Sequence, residues 1–411
     1  MRLFAGQHRA MKGRGCGGGA KQINKTFMED RKIRVAITHG DTNGVGYELI
    51  FKTFAEPEML ELCTPIIYGS PKVAAYHRKA LDLQANFSIV NSAEEVRDGR
   101  INLLTAVEEE VKVELGMPTP ESGDAALKAL DKAMTDYREG LFDVLVTAPV
   151  NRDNMKVNGF PFSGHTRYIE ASVGEGQKAL TVYVNDHLRL AFATAGMPLK
   201  SVAQALNKDD LVGKVKLLYK TVRRDFNISN PRIAVLALNP ASAGKAADEE
   251  EQVIAPAIEE LAKSGVEAFG PYAADEFFGN GDFEHFDAVL AMYYDQAMPA
   301  FKSLSVEHEN VFTAGLPLIR TAACEGVDYE LTGRGVTDES SFRHAVYLAI
   351  DTFRYRENYD LPLGDPLKKL YHERRDESEK VRFAIPKKHS GQPFQPRRAE
   401  GQPKQEVPKK E

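Results

Sequence analysis

The chain reads as an α/β protein built on a largely parallel sheet. Short runs of β-branched and apolar residues without polar alternation mark buried strands. Between them lie stretches with apolar residues at i, i+3 or i+4 spacing, the signature of amphipathic helices. Their alternation along 411 residues predicts a sheet with helices on both faces, and that length usually divides into two domains.

Taken in order, the first strand falls at residues 33–37, Ile-Arg-Val-Ala-Ile. It runs into Thr38-His39-Gly40-Asp41-Thr42-Asn43-Gly44-Val45-Gly46-Tyr47-Glu48 and then a helix. Those glycines fit neither G-x-G-x-x-G nor G-x-x-x-x-G-K-[ST], so the segment reads as a tight strand-to-helix turn lining a cleft. Strands are expected at 60–68, 144–147, 179–184, 233–238 and 288–292, where apolar residues run together. Helices are expected at 125–137, 211–226, 253–264 and 340–355 from their 3.6-residue apolar period. No internal repeat is present.

The two ends read differently. Residues 1–27 are basic and crowded with glycine at Gly13, Gly15, Gly17, Gly18 and Gly19, a composition unable to bury a core, and they lack the apolar run of a secretory signal. Residues 386–411 are dominated by Pro, Lys, Gln and Glu. Both are expected to be disordered.

A formal charge of −6 argues against general nucleic-acid binding, which needs a basic surface. No apolar run approaches the roughly 20 residues that cross a bilayer, so a cytoplasmic protein without a membrane partner is expected. Cys16, Cys63 and Cys324 have no paired spacing and are read as reduced thiols.

Candidate site residues are few. Gly164-His165-Thr166 follows the 144–147 strand, and an imidazole beside a hydroxyl can donate to a phosphate or carboxylate. Lys302 and Arg320 are cations near strand or loop ends, where anionic substrates bind in α/β folds.

Taken together, the motifs resemble the 4-hydroxythreonine-4-phosphate dehydrogenase (PdxA) family of vitamin B6 biosynthesis. The matching pieces are Ile37-Thr38-His39-Gly40-Asp41 with Gly44-Val45-Gly46-Tyr47-Glu48, Val146-Thr147-Ala148-Pro149-Val150-Asn151, Gly164-His165-Thr166 and Leu238-Asn239-Pro240. Further along come Gly270-Pro271 with Ala274-Asp275, Ala288-Val289-Leu290-Ala291-Met292-Tyr293 with Asp295-Gln296, and Gly315-Leu316-Pro317 through Arg320-Thr321. They occur in order over residues 32–355.

The resemblance implies a two-domain α/β/α fold similar to the isocitrate and isopropylmalate dehydrogenases. It places a first domain at 28–140 plus 313–385 and a second at 141–312 with the dimer interface. It implies a homodimer acting on a phosphorylated small molecule, NAD as hydride acceptor, and a divalent metal held by three histidines. Substrate contacts carry over to His165, Thr166, Lys302 and Arg320, and catalytic roles to Lys302 and Asp295. The three metal histidines fall on Gly196, Ala241 and Tyr294, so no metal ligands are assigned; His39 and His165 with Asp295 are the remaining donors for a replacement. The family's dinucleotide-contacting loop falls on Arg320-Thr321-Ala322-Ala323-Cys324-Glu325-Gly326-Val327-Asp328, where Glu325 adds negative charge. An alternative implied by the altered site is a non-catalytic homologue that binds a phosphorylated metabolite or modulates an active paralogue.

Overall fold

A computed structural model describes residues 31–364 except 84, 109, 158, 160, 163 and 243–247. The expectations for 1–27 and 386–411 lie outside these residues. The described chain up to residue 361 forms one compact unit.

Its frame is a 12-stranded sheet in the order β3-β4-β2-β1-β5-β12-β11-β6-β7-β10-β8-β9. The strands are β1 (Ile33–Thr38), β2 (Cys63–Gly69), β3 (Phe87–Val90), β4 (Ile101–Thr105), β5 (Val144–Thr147), β6 (Leu180–Val184), β7 (Arg189–Phe192), β8 (Ile233–Leu236), β9 (Ala268–Tyr272), β10 (Ala288–Ala291), β11 (Asn310–Ala314) and β12 (Ile319–Ala323). Pairing is parallel on both flanks and antiparallel only in the middle, at β12-β11, β11-β6 and β6-β7. The largely parallel α/β fold read from the sequence is therefore present.

Strand β1 forms where expected, and β5 matches its expected bounds. The expected strand at 60–68 starts late: Leu60 to Leu62 close the Pro57–Leu62 helix, which Pro57 starts at its first turn, and extension begins at Cys63. Strands β3, β4, β7, β9, β11 and β12 were not expected. β5, β8 and β10 are as short but are almost wholly apolar, whereas a polar residue, glycine or proline breaks the apolar run in each of these six.

Helices end where local chemistry satisfies their free N–H groups. Asn207 caps the Lys208–Asp225 helix by accepting from the N–H groups of Asp209 and Asp210 at 2.9 and 3.2 Å. Thr119 does the same for the Pro120–Arg138 helix through Ser122 N–H.

The apolar packing differs on the two faces of the sheet. On one face a continuous core runs from Val35 and Val146 through Val182 and Phe312 to Val235 and Leu290, covered by helices that include Lys208–Asp225 and Ser340–Gly364. On the other face the core is broken in two. One cluster gathers Ala36, Ile66, Leu145 and Ile169; the other gathers Leu190, Leu236, Ala291 and Phe301. The break lies over β12 and β11, between Leu145 of β5 and Tyr183 of β6, and the polar side chains of the site rise there. No helix among the described residues is long and apolar enough to cross a membrane.

Candidate functional site

Alternation along β12 decides what enters the break. Ile319 and Ala323 pack into the continuous core, and Thr321 Oγ1 donates to Ala345 O on the covering helix. Arg320 therefore emerges on the opposite face. Thr147 ends β5 with the same polarity, its neighbour Val146 facing the continuous core. Arg320 Nε and Nη2 donate to Thr147 Oγ1 at 3.1 and 2.5 Å, and Nη1 reaches Thr313 Oγ1 at 3.5 Å.

Arg320 Nη2 also stands 3.4 Å from Nδ1 of His165, the first residue of the His165–Val173 helix. Both groups are buried. Burial lowers the imidazole to about 3, with the charges of Arg320 and Arg152 adding to the effect. Neutral His165 therefore accepts from Arg320 at Nδ1 and keeps its proton on Nε2. Burial likewise lowers Arg320 to about 10, and Arg152 contributes.

Among the described residues the partners of Arg320 are thus two hydroxyls and a neutral imidazole, none of them an anion. A buried guanidinium without a counter-ion is costly, and an incoming phosphate or carboxylate would offset that cost. Arg152 reinforces the positive field. Nothing in its spacing singles it out, although it directly follows the quoted Val146–Asn151 motif.

Thr166 is half-buried at the second position of the same helix as His165. Lys302 lies on the Tyr294–Leu304 helix, half exposed, and its ammonium is paired with the Glu309 carboxylate. Burial pulls its pKa down, but the hydrogen bond and charge of Glu309 outweigh this and hold it above the ordinary lysine value. Lys302 is therefore a cation rather than a ready base. Its field, together with that of Arg320, also reaches Cys324, whose thiol burial raises to about 12. Asp295 is exposed in the first turn of the Tyr294–Leu304 helix.

Adjacent parallel strands β7, β10 and β8 carry Gly196, Tyr294 and Ala241 in the segments beyond their C-terminal ends. Thr194 N–H donates to Met292 O at 3.0 Å, and Gln296 Nε2 bonds Ala237 O at 2.5 Å, which holds the three segments together. At these three positions the side chains offer few donors. Gly196 takes φ +70° with open space where a Cβ would stand, and Ala241 is an exposed methyl. The Tyr294 ring packs on Phe192 and Tyr183 at 5.3 and 6.1 Å, and burial followed by the Cys324 thiol raises its phenol. A protonated phenol is a weak ligand for a divalent cation.

His39 does not join His165 and Asp295 in a replacement ligand set. It is buried in the turn after β1, stacked on Tyr47 at 5.3 Å. That turn does have the strand-to-helix form read from its glycines, leading into the Gly46–Thr53 helix. Val45 N–H donates to Val327 O, bringing the turn against the segment after β12. In that segment burial raises Glu325 to about 7, and its Oε2 is enclosed without a hydrogen-bond partner. Cys63 and Cys324 are free thiols, as their spacing implied; Cys16 is outside the described residues.

The family profile described as pyridoxal phosphate biosynthetic protein PdxA matches residues 61–349. A 4-hydroxythreonine-4-phosphate dehydrogenase of Bacteroides thetaiotaomicron is 49% identical over 358 residues, covering 87% of this chain and 98% of that one. A putative D-threonate 4-phosphate dehydrogenase of Oceanobacillus iheyensis is 30% identical over 78% of this chain and 98% of its own length. The solved structure of a putative 4-hydroxythreonine-4-phosphate dehydrogenase from Salmonella typhimurium superposes with a TM-score of 0.68 at 25% identity, covering 78% of this chain and all of that one.

Proposed function

The chain belongs to the PdxA family, and on that premise we propose that its cleft binds a phosphorylated hydroxy acid of the 4-hydroxythreonine 4-phosphate type, with NAD as the hydride acceptor. The observation that carries the reading is Arg320: a buried cation whose partners among the described residues are all neutral, beside His165 and in the field of Arg152. In this reading Arg320, Thr166 and the Nε2–H of His165 hold the anionic group. Lys302 turns from Glu309 to the substrate, and Asp295 faces it from the start of its helix. The division into 28–140 plus 313–385 and 141–312 belongs to the same proposal, as do a homodimer and a cytoplasmic location. Its support is the sheet, in which residues 33–147 and 319–323 supply one flank and 180–314 the rest.

The family's divalent metal does not fit this donor set. Glycine and alanine offer no side-chain ligand, and Tyr294 is a protonated phenol packed between aromatic rings. Such a metal contributes several kcal/mol of charge stabilisation to a transition state. That favours a second reading, in which the chain binds the phosphorylated metabolite without turning it over.

The test is NAD reduction by the purified chain with 4-hydroxythreonine 4-phosphate, beside a variant carrying Gly196→His, Ala241→His and Tyr294→His. Turnover by the parent chain supports the dehydrogenase and removes the non-catalytic reading. A silent parent with an active triple variant supports a binding role in an otherwise intact cleft. Absence of substrate binding by either protein removes both readings.

A further inference from the structure

Away from the cleft, metal-ligating side chains from three parts of the chain meet near the start of β11. Asp186 lies in the turn between β6 and β7, Glu307 and His308 in the segment entering β11, and His344 on the Ser340–Gly364 helix. Asp186, Glu307 and His308 each offer a ligand atom, and these atoms all lie within 4.8 Å of one another. His308 Nε2 is 3.5 Å from Asp186 Oδ1. The His344 ring meets the His308 ring edge to face, with centroids 3.7 Å apart.

Two features separate this cluster from a patch of solvated acids. It contains two imidazoles: His308 turns Nε2 to Asp186, and the Nδ1 atoms of His308 and His344 are enclosed without a hydrogen-bond partner. In addition, among the described residues neither Asp186 nor Glu307 is paired with a lysine or arginine. Tetrahedral ligation with bonds of about 2.0–2.1 Å places ligand atoms about 3.3 Å apart, so closing Asp186, Glu307 and His308 requires shifts of up to about 1.5 Å, and His344, outside that trio, must turn toward it. Asp186 and Glu307 are exposed and can turn to make them.

We propose that Asp186, Glu307, His308 and His344 form a binding site for a divalent transition-metal ion of the Zn²⁺ type. Two imidazoles with two carboxylates suit Zn²⁺ or Co²⁺, whereas Mg²⁺ and Ca²⁺ take oxygen ligands. An ion there ties the β6–β7 turn and the segment entering β11 to the Ser340–Gly364 helix. Glu309, which holds Lys302, is the next residue after His308, so the site borders the cleft without sharing its residues.

The full chain, stripped of metal by a chelator, is titrated with Zn²⁺ and Ca²⁺ by calorimetry and with Co²⁺ by visible absorption. The expected result is saturable binding of one Zn²⁺ per chain and intense Co²⁺ bands of four-coordinate nitrogen and oxygen ligation. Affinity should fall roughly tenfold or more in both Asp186→Asn and His308→Gln. Asp186 is nearly half exposed, so the first variant removes a ligand without disturbing packing. The proposal is overturned by absence of saturable binding, by unchanged affinity in both variants, or by Ca²⁺ binding as tightly as Zn²⁺.

Discussion

Arg320 carries the functional argument at the scale of single residues, because among the described residues it meets no anion that would stabilise it. Replacement by Met keeps most of the volume and removes a buried charge, so thermal stability should be unchanged or higher. Binding of inorganic phosphate should weaken by roughly 10- to 100-fold, the loss of a charge-assisted contact of about 1.5–3 kcal/mol. Titration calorimetry alongside a thermal melt checks both, and a variant that melts lower yet binds phosphate unchanged would exclude the anion site. Histidines set a pH dependence. Burial lowers His39 to about 4 and His165 to about 3, below the ordinary value of 6.5. Below that value the unfolded chain takes up protons that the native chain refuses, so their contribution is fully present above it and drains as pH falls toward about 4. The melting temperature should therefore decline over this range, and a flat profile would contradict it. Glu325 acts with the opposite sign. Its folded pKa of about 7 lies above the ordinary 4.5, so the unfavourable contribution grows as pH rises between them. Glu325→Gln should raise the melting temperature more at pH about 8 than at about 5, and an equal effect at both would locate the cost elsewhere.

At the scale of elements, caps and turns fix where each piece begins. Asn207 satisfies two N–H groups of the Lys208–Asp225 helix, and Asn207→Ala should cost about 1 kcal/mol in chemical denaturation. A loss indistinguishable from zero would mean that packing alone holds that end. Gly40 shows why the turn after β1 needs glycine: its φ is +76°, and a Cβ would lie 2.2 Å from Pro149 O. The same backbone approach brings Asp41 N–H onto Pro149 O at 2.9 Å, joining the β1 turn to the end of β5. The Pro120–Arg138, Lys208–Asp225 and Ser340–Gly364 helices were legible in the sequence because their period repeats over several turns, whereas β7, with Arg189 in its four residues, offered no comparable pattern.

At the scale of the whole molecule, one buried ion pair connects elements far apart in sequence. Arg356 on the Ser340–Gly364 helix donates to Asp225 at 2.8 and 3.1 Å, and its Nη1 also reaches Leu316 O and Pro317 O. Both side chains are under 10% exposed. Arg356→Ala should cost about 3 kcal/mol, because it removes the bidentate partner of the buried Asp225 carboxylate and leaves it only Arg224, whose Nη1 lies 3.9 Å away. Urea denaturation measures it, and a cost below about 1 kcal/mol would show that water reaches the pair.

The sequence by itself determined the α/β class, the long helices, and the ordered motifs that carry family membership, since each of these is local in pattern or composition. It also marked His165, Thr166, Lys302 and Arg320, because residue types at motif positions are read directly. Only the tertiary structure decided that Lys302 is paired with Glu309, that Arg152 joins the field around Arg320, and that His308 and His344 meet. These depend on strand order and on which face of the sheet a side chain takes, and long-range pairing leaves no local trace in the chain.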